Sequence, residues 1–290
     1  MVTGVEWGEL RGRIVVYEDE SAIVVNKPPG ISVMGERHDS DLVTMAAEAG
    51  ERLWWVNRID KVTSGAVVLA KSQESHSELT RQFARRTVDK AYLAVCQPGG
   101  LPAAGTIDLP LLTAGSGRIR VAAERAHIEH DQATGAWSVR PGNLLPRKNF
   151  PSRTDYVRLW DDEQDAVVLA MPVTGRRHQI RVHLAWVGHA IVGDPLFSKK
   201  TDAPAARTYL HSLRIGFEAA RPRSRWVEVE APPGDDFWEP VRDRLNAVTP
   251  AGLLARAAAV IDDRASAGAA HPHDRVGFSA ETTASPRRRG

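Results

Sequence analysis

The chain has 290 residues, 42% hydrophobic and 26% charged, with a net charge of +2. Such a composition supports an ordinary globular core, and the net charge is too small to argue a nucleic-acid partner by itself. The single cysteine, Cys96, excludes an intramolecular disulfide and a multi-cysteine zinc site, and no apolar run approaches the roughly 18 residues of a membrane helix.

The first residues lack a charged start followed by an apolar stretch and a cleavage site, so a cytoplasmic protein with no membrane partner is expected. After a lead over residues 1–13, "RIVVYEDESAIVVNKPPGISV" sets two apolar strands around an acidic turn, a hairpin broken by Pro28, Pro29 and Gly30. "LVTMAAEAG" predicts a short helix stopping at Gly50. In "VNRIDKVTSGAVVLAKS", residues 56–72, Asp60 closes a short apolar and basic run. A polar turn and a buried strand, "AVVLA", follow. A carboxylate there is either a salt-bridged turn residue or a nucleophile.

Beyond it, Leu79 and Phe83 stand four apart in "SQESHSELTRQFARRTV", a helical spacing. "KAYLAVCQP" reads as a strand in which Cys96 is a small buried hydrophobe. Residues 99–153, rich in Gly, Pro and Arg, read as strands with long connections facing the substrate, with a hairpin in "IEHDQATGAWSVR". "TDYVRLW" and "DAVVLAMPV" form a strand pair.

In "TGRRHQIRVHLAWVGHAIVGDPLF", Thr174 can cap a helix that carries Ile180, Leu184 and Val187 as one apolar stripe and ends at Gly188. Arg177 and Arg181, four apart, would share a face beside that stripe. Two more strands follow, "YLHSLRIGFEAA" and "RWVEVEAPP", and "DDFWEPVRDRLNAV" opens a terminal region with a helix over 246–263. The tail over 264–290 is too poor in apolar residues to offset its ordering entropy and is expected to be disordered. Strands outnumber helices without regular alternation. The expected fold is therefore α+β, a largely antiparallel mixed central sheet flanked by helices and loops.

The charges are distributed unevenly. From Arg176 to Arg214 the basic residues are Arg176, Arg177, Arg181, Lys199, Lys200, Arg207 and Arg214, against Asp194 and Asp202 alone. One basic face that attracts phosphates fits this pattern, and so do solvated helix faces.

No P-loop and no dinucleotide-binding glycine pattern is present, which removes nucleotide-driven chemistry. His178 and His183 would lie about 140° apart around a helix. With His189 they make no convincing metal site, and none is expected. Ser64 lacks the elbow of a serine hydrolase, and Thr63 and Ser64 read as turn residues bonding local backbone.

"NRID.VTSG..VLAKS" resembles the H-R-L-D-x-x-T-S-G-L-L-L-x-A-K signature of the RluA-type pseudouridine synthases. Four further blocks resemble the same family in the same order, between residues 14 and 217: "YEDESAIVVNKPPGISV", "KAYLAV", "GRRHQIRVHLAWVGHAIVGDPLF" and "YLHSLRIGF". The resemblance implies a pseudouridine synthase-like catalytic domain over 14–245 that isomerises uridine in a structured transfer or ribosomal RNA stem-loop, without cofactor or metal, as a monomer. It implies Asp60 as the catalytic aspartate, acting as nucleophile or as base, with Arg181 as its ionic partner. Tyr92 would pack on the target base and assist the last proton removal, and Ile180 would line the uracil pocket. Arg58 would fill the space left by the flipped base, and Asn57, Arg176, Arg177 and His178 would contact RNA.

The chain departs from the family pattern at Asn57, where histidine is usual, at Arg177, where threonine is usual, and at Ala190, where proline is usual. An altered RNA target is the expected consequence. The small S4-type RNA-binding domain of many relatives is not expected ahead of residue 14. The alternative kept open by the departures is a protein that binds or chaperones structured RNA without catalysis.

Overall fold

In the computed structural model, the described residues are 6–35, 41–115, 117–198, 205–221, 225–267 and 275–278. The first half runs α1 (Trp7–Ile14), β1 (Val15–Glu18), β2 (Ala22–Lys27), α2 (Leu42–Glu48), β3 (Trp54–Trp55), β4 (Ser64–Ala70), α3 (Gln73–Arg85) and β5 (Asp89–Gln97). An inserted region holds β6 (Ala104–Asp108), β7 (Leu111–Thr113), β8 (Ile119–Val121), β9 (Ile128–Asp131) and β10 (Ala136–Val139). The remainder is β11 (Arg153–Asp161), β12 (Ala166–Pro172), α4 (Gln179–Trp186), β13 (Ala190–Ile191), β14 (Leu210–Glu218), β15 (Trp226–Glu230), α5 (Pro250–Ala267) and β16 (Arg275–Phe278).

One long sheet carries the molecule, in the order β1-β2-β4-β14-β5-β12-β11-β6-β10-β9. Neighbours are antiparallel except β4 with β14 and β6 with β10. The fold is thus the expected α+β class with a largely antiparallel mixed sheet. Strands β4 and β12 are buried along their whole length, which explains their unbroken apolar runs "AVVLA" and "AVVLAM". Helix α5 packs over β5, β11 and β12, and α1 and α2 cover β2 and β4. Helix α3 lies against β4 and β14, held at its start by the Ser72 hydroxyl, which accepts from the Ser75 N–H at 3.1 Å.

Where β4 meets β14, Gly65 has φ +106°, and a Cβ there would lie 2.2 Å from the Ser212 carbonyl oxygen. Only glycine permits this approach. It brings the start of β4, and the Asp60 turn before it, beside the first residues of β14, which pair in turn with β5 around Tyr92.

Several local expectations change. Helix α4 begins at Gln179, not after Thr174, with His178 in the left-handed region at its N-cap (φ 56°). Arg177 therefore precedes the helix and shares no face with Arg181. The stretch "DDFWEPVRDRLNAV" forms two single 3-10 turns, because Pro240 interrupts any helix there, and α5 starts at Pro250, a favoured first helical residue. The helix expected over 246–263 is thus shifted to 250–267. Of the tail expected to be disordered, 264–267 lie in α5 and 275–278 form β16, parallel to β15. The rest of it, like Lys199, Lys200 and Asp202, lies outside the described residues. No helix among them is long and apolar enough to cross a membrane.

Candidate active site

Arg181 sits one turn into α4 with 3% of its surface exposed. Its Nε and Nη2 donate to the two oxygens of Asp194 at 2.7 and 2.8 Å, a bidentate pair with a fully buried carboxylate. Asp194 is held in turn by the Leu196 and Phe197 N–H groups at 2.9 and 3.2 Å. The remaining Nη1 donates to Asp60 Oδ2 at 2.6 Å. Burial acts against the Arg181 cation, but the hydrogen bonds and charges of Asp194 and Asp60 more than offset it and hold its pKa above the ordinary value. The guanidinium is thus a fixed positive charge aimed at one edge of Asp60, whose side chain keeps 26% exposure toward a cleft.

The Asp60 turn is fixed from below. Its carbonyl accepts from the Thr63 N–H at 2.9 Å. Lys27, completely buried at the end of β2, donates to the carbonyls of Pro28, Ile31 and Lys61 at 2.9, 2.7 and 3.3 Å. Burial pushes the Lys27 ammonium down to about 7, with the nearby Asp60 charge opposing. Ser64 is no local turn residue. It is buried at the start of β4 and bonds His211 Nδ1 at 2.7 Å, while Arg207 donates to its hydroxyl oxygen. His211 Nε2 lies 2.5 Å from the Ala231 carbonyl, so Nε2 carries the proton and the Ser64 hydroxyl donates to Nδ1. Burial lowers His211 to about 4 and keeps it neutral.

The opposite wall is the loop between β12 and α4. Gln179 organises it. Its Oε1 accepts from the Thr174 hydroxyl and the Arg176 N–H at 2.6 and 3.0 Å, and its Nε2 donates to the Arg153 carbonyl and the Thr154 hydroxyl at 2.9 and 3.0 Å. Thr154 in turn bonds buried His183, whose Nε2 donates to the Leu109 carbonyl at 3.0 Å. Thr174 thus shapes the loop through Gln179. The three histidines of the sequence pattern serve separate partners: His189 bonds the Pro98 carbonyl, and His178 stands 3.6 Å from Asp60 Oδ1. Among the described residues, no group of three or more His, Cys, Asp or Glu is placed to hold a metal ion.

These walls enclose a cleft of about 830 Å³. Asp60, Tyr92, Ile180, Arg58, Arg177 and His178 line it, so it gathers most of the residues singled out from the sequence. Tyr92 projects from β5 between Ala170 of β12 and Ser212 of β14. Burial raises its phenol to about 12, with a hydrogen bond to Ser212 opposing and the Asp60 charge adding to the rise. Arg58 and Arg177 are exposed at the rim, and Arg176 is half-buried with its guanidinium 5.4 Å from the Phe150 ring centroid. Burial lowers the pKa of His178, against the pull of Asp60.

Asn57 also lines the cleft. It is 9% exposed, and its Oδ1 accepts from the Val68 N–H at 2.8 Å. It anchors the Asp60 segment to β4. Asp194, Lys27, Gln179 and His211 are the site-building residues that the motifs contained but that no role was read for. Their signal was polar identity inside otherwise apolar blocks.

The RNA pseudouridylate synthase family matches residues 21–186. The chain is 33% identical over 205 residues to the dual-specificity RNA pseudouridine synthase RluA of Escherichia coli strain K12, covering 69% of this chain and 84% of that one. It is 31% identical over 206 residues to an RNA pseudouridine synthase of Haemophilus influenzae, covering 70% and 81%. Among solved structures, human RNA pseudouridylate synthase domain containing 4 superposes with a TM-score of 0.65 at 22% identity, over 81% of this chain and 94% of that one. Human RNA pseudouridylate synthase domain containing 1 gives 0.58 at 26% identity, over 76% and 83%.

Proposed function

The chain belongs to the RNA pseudouridylate synthase family, and from that premise we propose that Asp60 is the catalytic carboxylate of an enzyme that isomerises a uridine in a transfer or ribosomal RNA stem-loop. The observation that carries this reading is the Asp60–Arg181–Asp194 array. One edge of a carboxylate is held by a buried cation that cannot lose its proton, and the other edge opens on a nucleotide-sized cleft.

The isomerisation breaks the bond from ribose carbon 1 to uracil nitrogen 1 and forms one from the same ribose carbon to uracil carbon 5. A proton leaves carbon 5 and one is taken up at nitrogen 1. An ionised carboxylate can begin this as nucleophile at the sugar or as base at a ribose carbon. Arg181 favours the charged form in both cases. The catalytic unit spans 14–245 and works as a cytoplasmic monomer without cofactor or metal. A binding protein without turnover has no geometric support, since the carboxylate and its cation are intact and face the cleft.

Tyr92, neutral at physiological pH, offers a flat surface for the base beside Asp60. To take the carbon 5 proton its phenol must first give up its own, for which nitrogen 1 of the detached base is an acceptor; burial opposes that loss most and the Asp60 charge adds to the opposition. Tyr92→Phe keeps the surface and removes the hydroxyl. It should lower kcat by about 10²-fold or more with KM changed only a few-fold, as loss of a positioned proton acceptor does. Wild-type kcat in the variant would reduce Tyr92 to packing.

Arg58 stands exposed at the rim two residues before Asp60, where a planar cation can enter the stack vacated by the uridine. Extrusion costs a few kcal/mol, so Arg58→Ala should lower kcat/KM on a folded stem-loop by about 10-fold or more and matter far less on an unstructured oligouridylate. Equal effects on both substrates would remove Arg58 from base flipping. The function itself is tested by release of tritium from uridine carbon 5 in RNA transcribed in vitro, which contains no pseudouridine. No release by folded wild-type protein from transfer and ribosomal transcripts would overturn it.

A further inference from the structure

A second groove, of about 460 Å³, lies at the C-terminal end of α4. Arg118 and Arg120, at β8, and Arg125 just after it form one wall. Trp186 at the end of α4, with Leu196 and Phe197 after β13, forms the other. Leu196 also lines the catalytic cleft and is 49% exposed, so the two depressions meet across it. Phe197 likewise faces both sides: it lies 5.4 Å from the Arg181 guanidinium and 6.0 Å from the His178 ring.

The way the arginines are held is informative. The Arg125 and Arg120 guanidiniums lie 4.6 and 5.1 Å from the Trp186 ring centroid. Arg125 Nη1 also donates to the Ala185 and Trp186 carbonyls at 3.0 and 2.9 Å, closing the end of α4. An aromatic face and main-chain carbonyls orient a cation without neutralising it, whereas a carboxylate does both. Arg120 has one acidic partner, exposed Glu124 at 3.1 Å. Arg118 is exposed and makes no ion pair among the described residues. Three cations against one solvent-facing carboxylate, beside exposed apolar surface, fit a polyanion with flat bases.

We propose that this groove carries the RNA strand on one side of the target uridine. Arg118, Arg120 and Arg125 take its phosphates, and Leu196 is the sill over which the strand leaves the cleft. The proposal rests on the reading of the cleft as the uridine site and adds to it where the flanking strand runs. It also assigns a task to the 99–153 region, which supplies all three arginines.

The test compares wild type, Arg118→Glu and the double variant Arg118→Gln/Arg125→Gln. Filter binding of unmodified transfer and ribosomal RNA transcripts is followed between about 50 and 200 mM salt, beside tritium release. Arg118 is exposed and has no ion pair to lose among the described residues, so Arg118→Glu should fold as wild type does and keeps the test valid even where the double variant loosens the end of α4. Both variants should bind RNA about 10-fold more weakly. In the double variant, log affinity should fall less steeply with log salt, by about 0.7 to 0.9 per phosphate contact removed. KM for tritium release should rise in step. Wild-type affinity and salt slope in folded Arg118→Glu would overturn the groove while wild-type turnover leaves the cleft reading standing. Groove-dependent binding without turnover by wild type would overturn the cleft reading instead.

Discussion

Asp60→Ala is expected to lower tritium release by about 10⁴-fold or more while RNA binding persists, the scale seen when a group that acts directly on the reacting atoms is removed. The geometry explains why the loss should be confined to chemistry. Arg181 remains held by both oxygens of Asp194, and Lys27, although it loses the nearby Asp60 charge, keeps its three carbonyl acceptors. The Asp60 turn keeps its main-chain bonds, from Thr63 N–H to the Asp60 carbonyl and from Lys27 to the Lys61 carbonyl. The side chain is partly exposed, so stability should fall by no more than about 1 kcal/mol. Asp60→Asn makes the case sharper. It preserves size and can still accept from Arg181, yet it lacks the negative charge, and its turnover should be as low as that of the alanine variant. Retained turnover within about 10-fold of wild type in either variant would remove Asp60 from the mechanism.

Arg181→Ala should be damaging in a different way. It strands Asp194, which is fully buried and whose charge is compensated chiefly by that guanidinium. Breaking a buried pair by deleting one partner costs about 3 to 5 kcal/mol, a large share of the stability of an ordinary domain. Urea unfolding should therefore show a much lower midpoint for Arg181→Ala than for Asp60→Ala, and tritium release should be lost as well. Arg181→Lys should rescue only part of either property. An ammonium cannot offer Asp194 a two-pronged contact and reach Asp60 through a third nitrogen. An unchanged unfolding midpoint in Arg181→Ala would mean that the pair contributes nothing to the fold. Full stability recovery together with full turnover in Arg181→Lys would mean that the fork geometry is irrelevant.

Arg125 and Arg176 show that the inserted region and the cleft loop use the same device. Each places a guanidinium near an aromatic ring, Trp186 or Phe150, at a surface where no carboxylate pairs with it among the described residues. The cleft rim and the groove therefore present oriented cations in spite of a net charge of only +2, because the acidic residues are gathered on other surfaces and in internal pairs such as Arg244 with Asp162 and Asp165. Net charge is a poor guide to an RNA surface when the charges are sorted by tertiary structure.

The sequence by itself determined the elements whose identity depends on neighbours a few residues away. Alternating and continuous apolar runs marked β1, β2, β4, β5, β11, β12, β14 and β15. Gly50 marked a helix end, the Leu79 and Phe83 spacing marked α3, and the order of strands against helices marked an α+β sheet. It also carried Asp60, Tyr92, Arg181, Ile180 and Arg58 into one site through motif resemblance. What it could not express was which polar side chains would meet across the sheet. Ser64 finds His211 across 147 residues of chain, and Arg181 finds Asp60 across 121. Both meetings depend on the parallel pairing of β4 with β14 and on the close approach at Gly65. Thr174 looked like a helix cap because capping preference is local, but Gln179, tied to Arg153 and Thr154 on β11, goes with a cap four residues further on, at His178. Asn57, expected from the motif at the RNA, is also tied to β4 by the Val68 N–H, a bond no local pattern announces. Propensity and patterning act within a turn or a strand. The partner of a buried polar group is decided only when distant strands pair, because an unpaired donor, acceptor or charge inside the core costs more than local preference can offset.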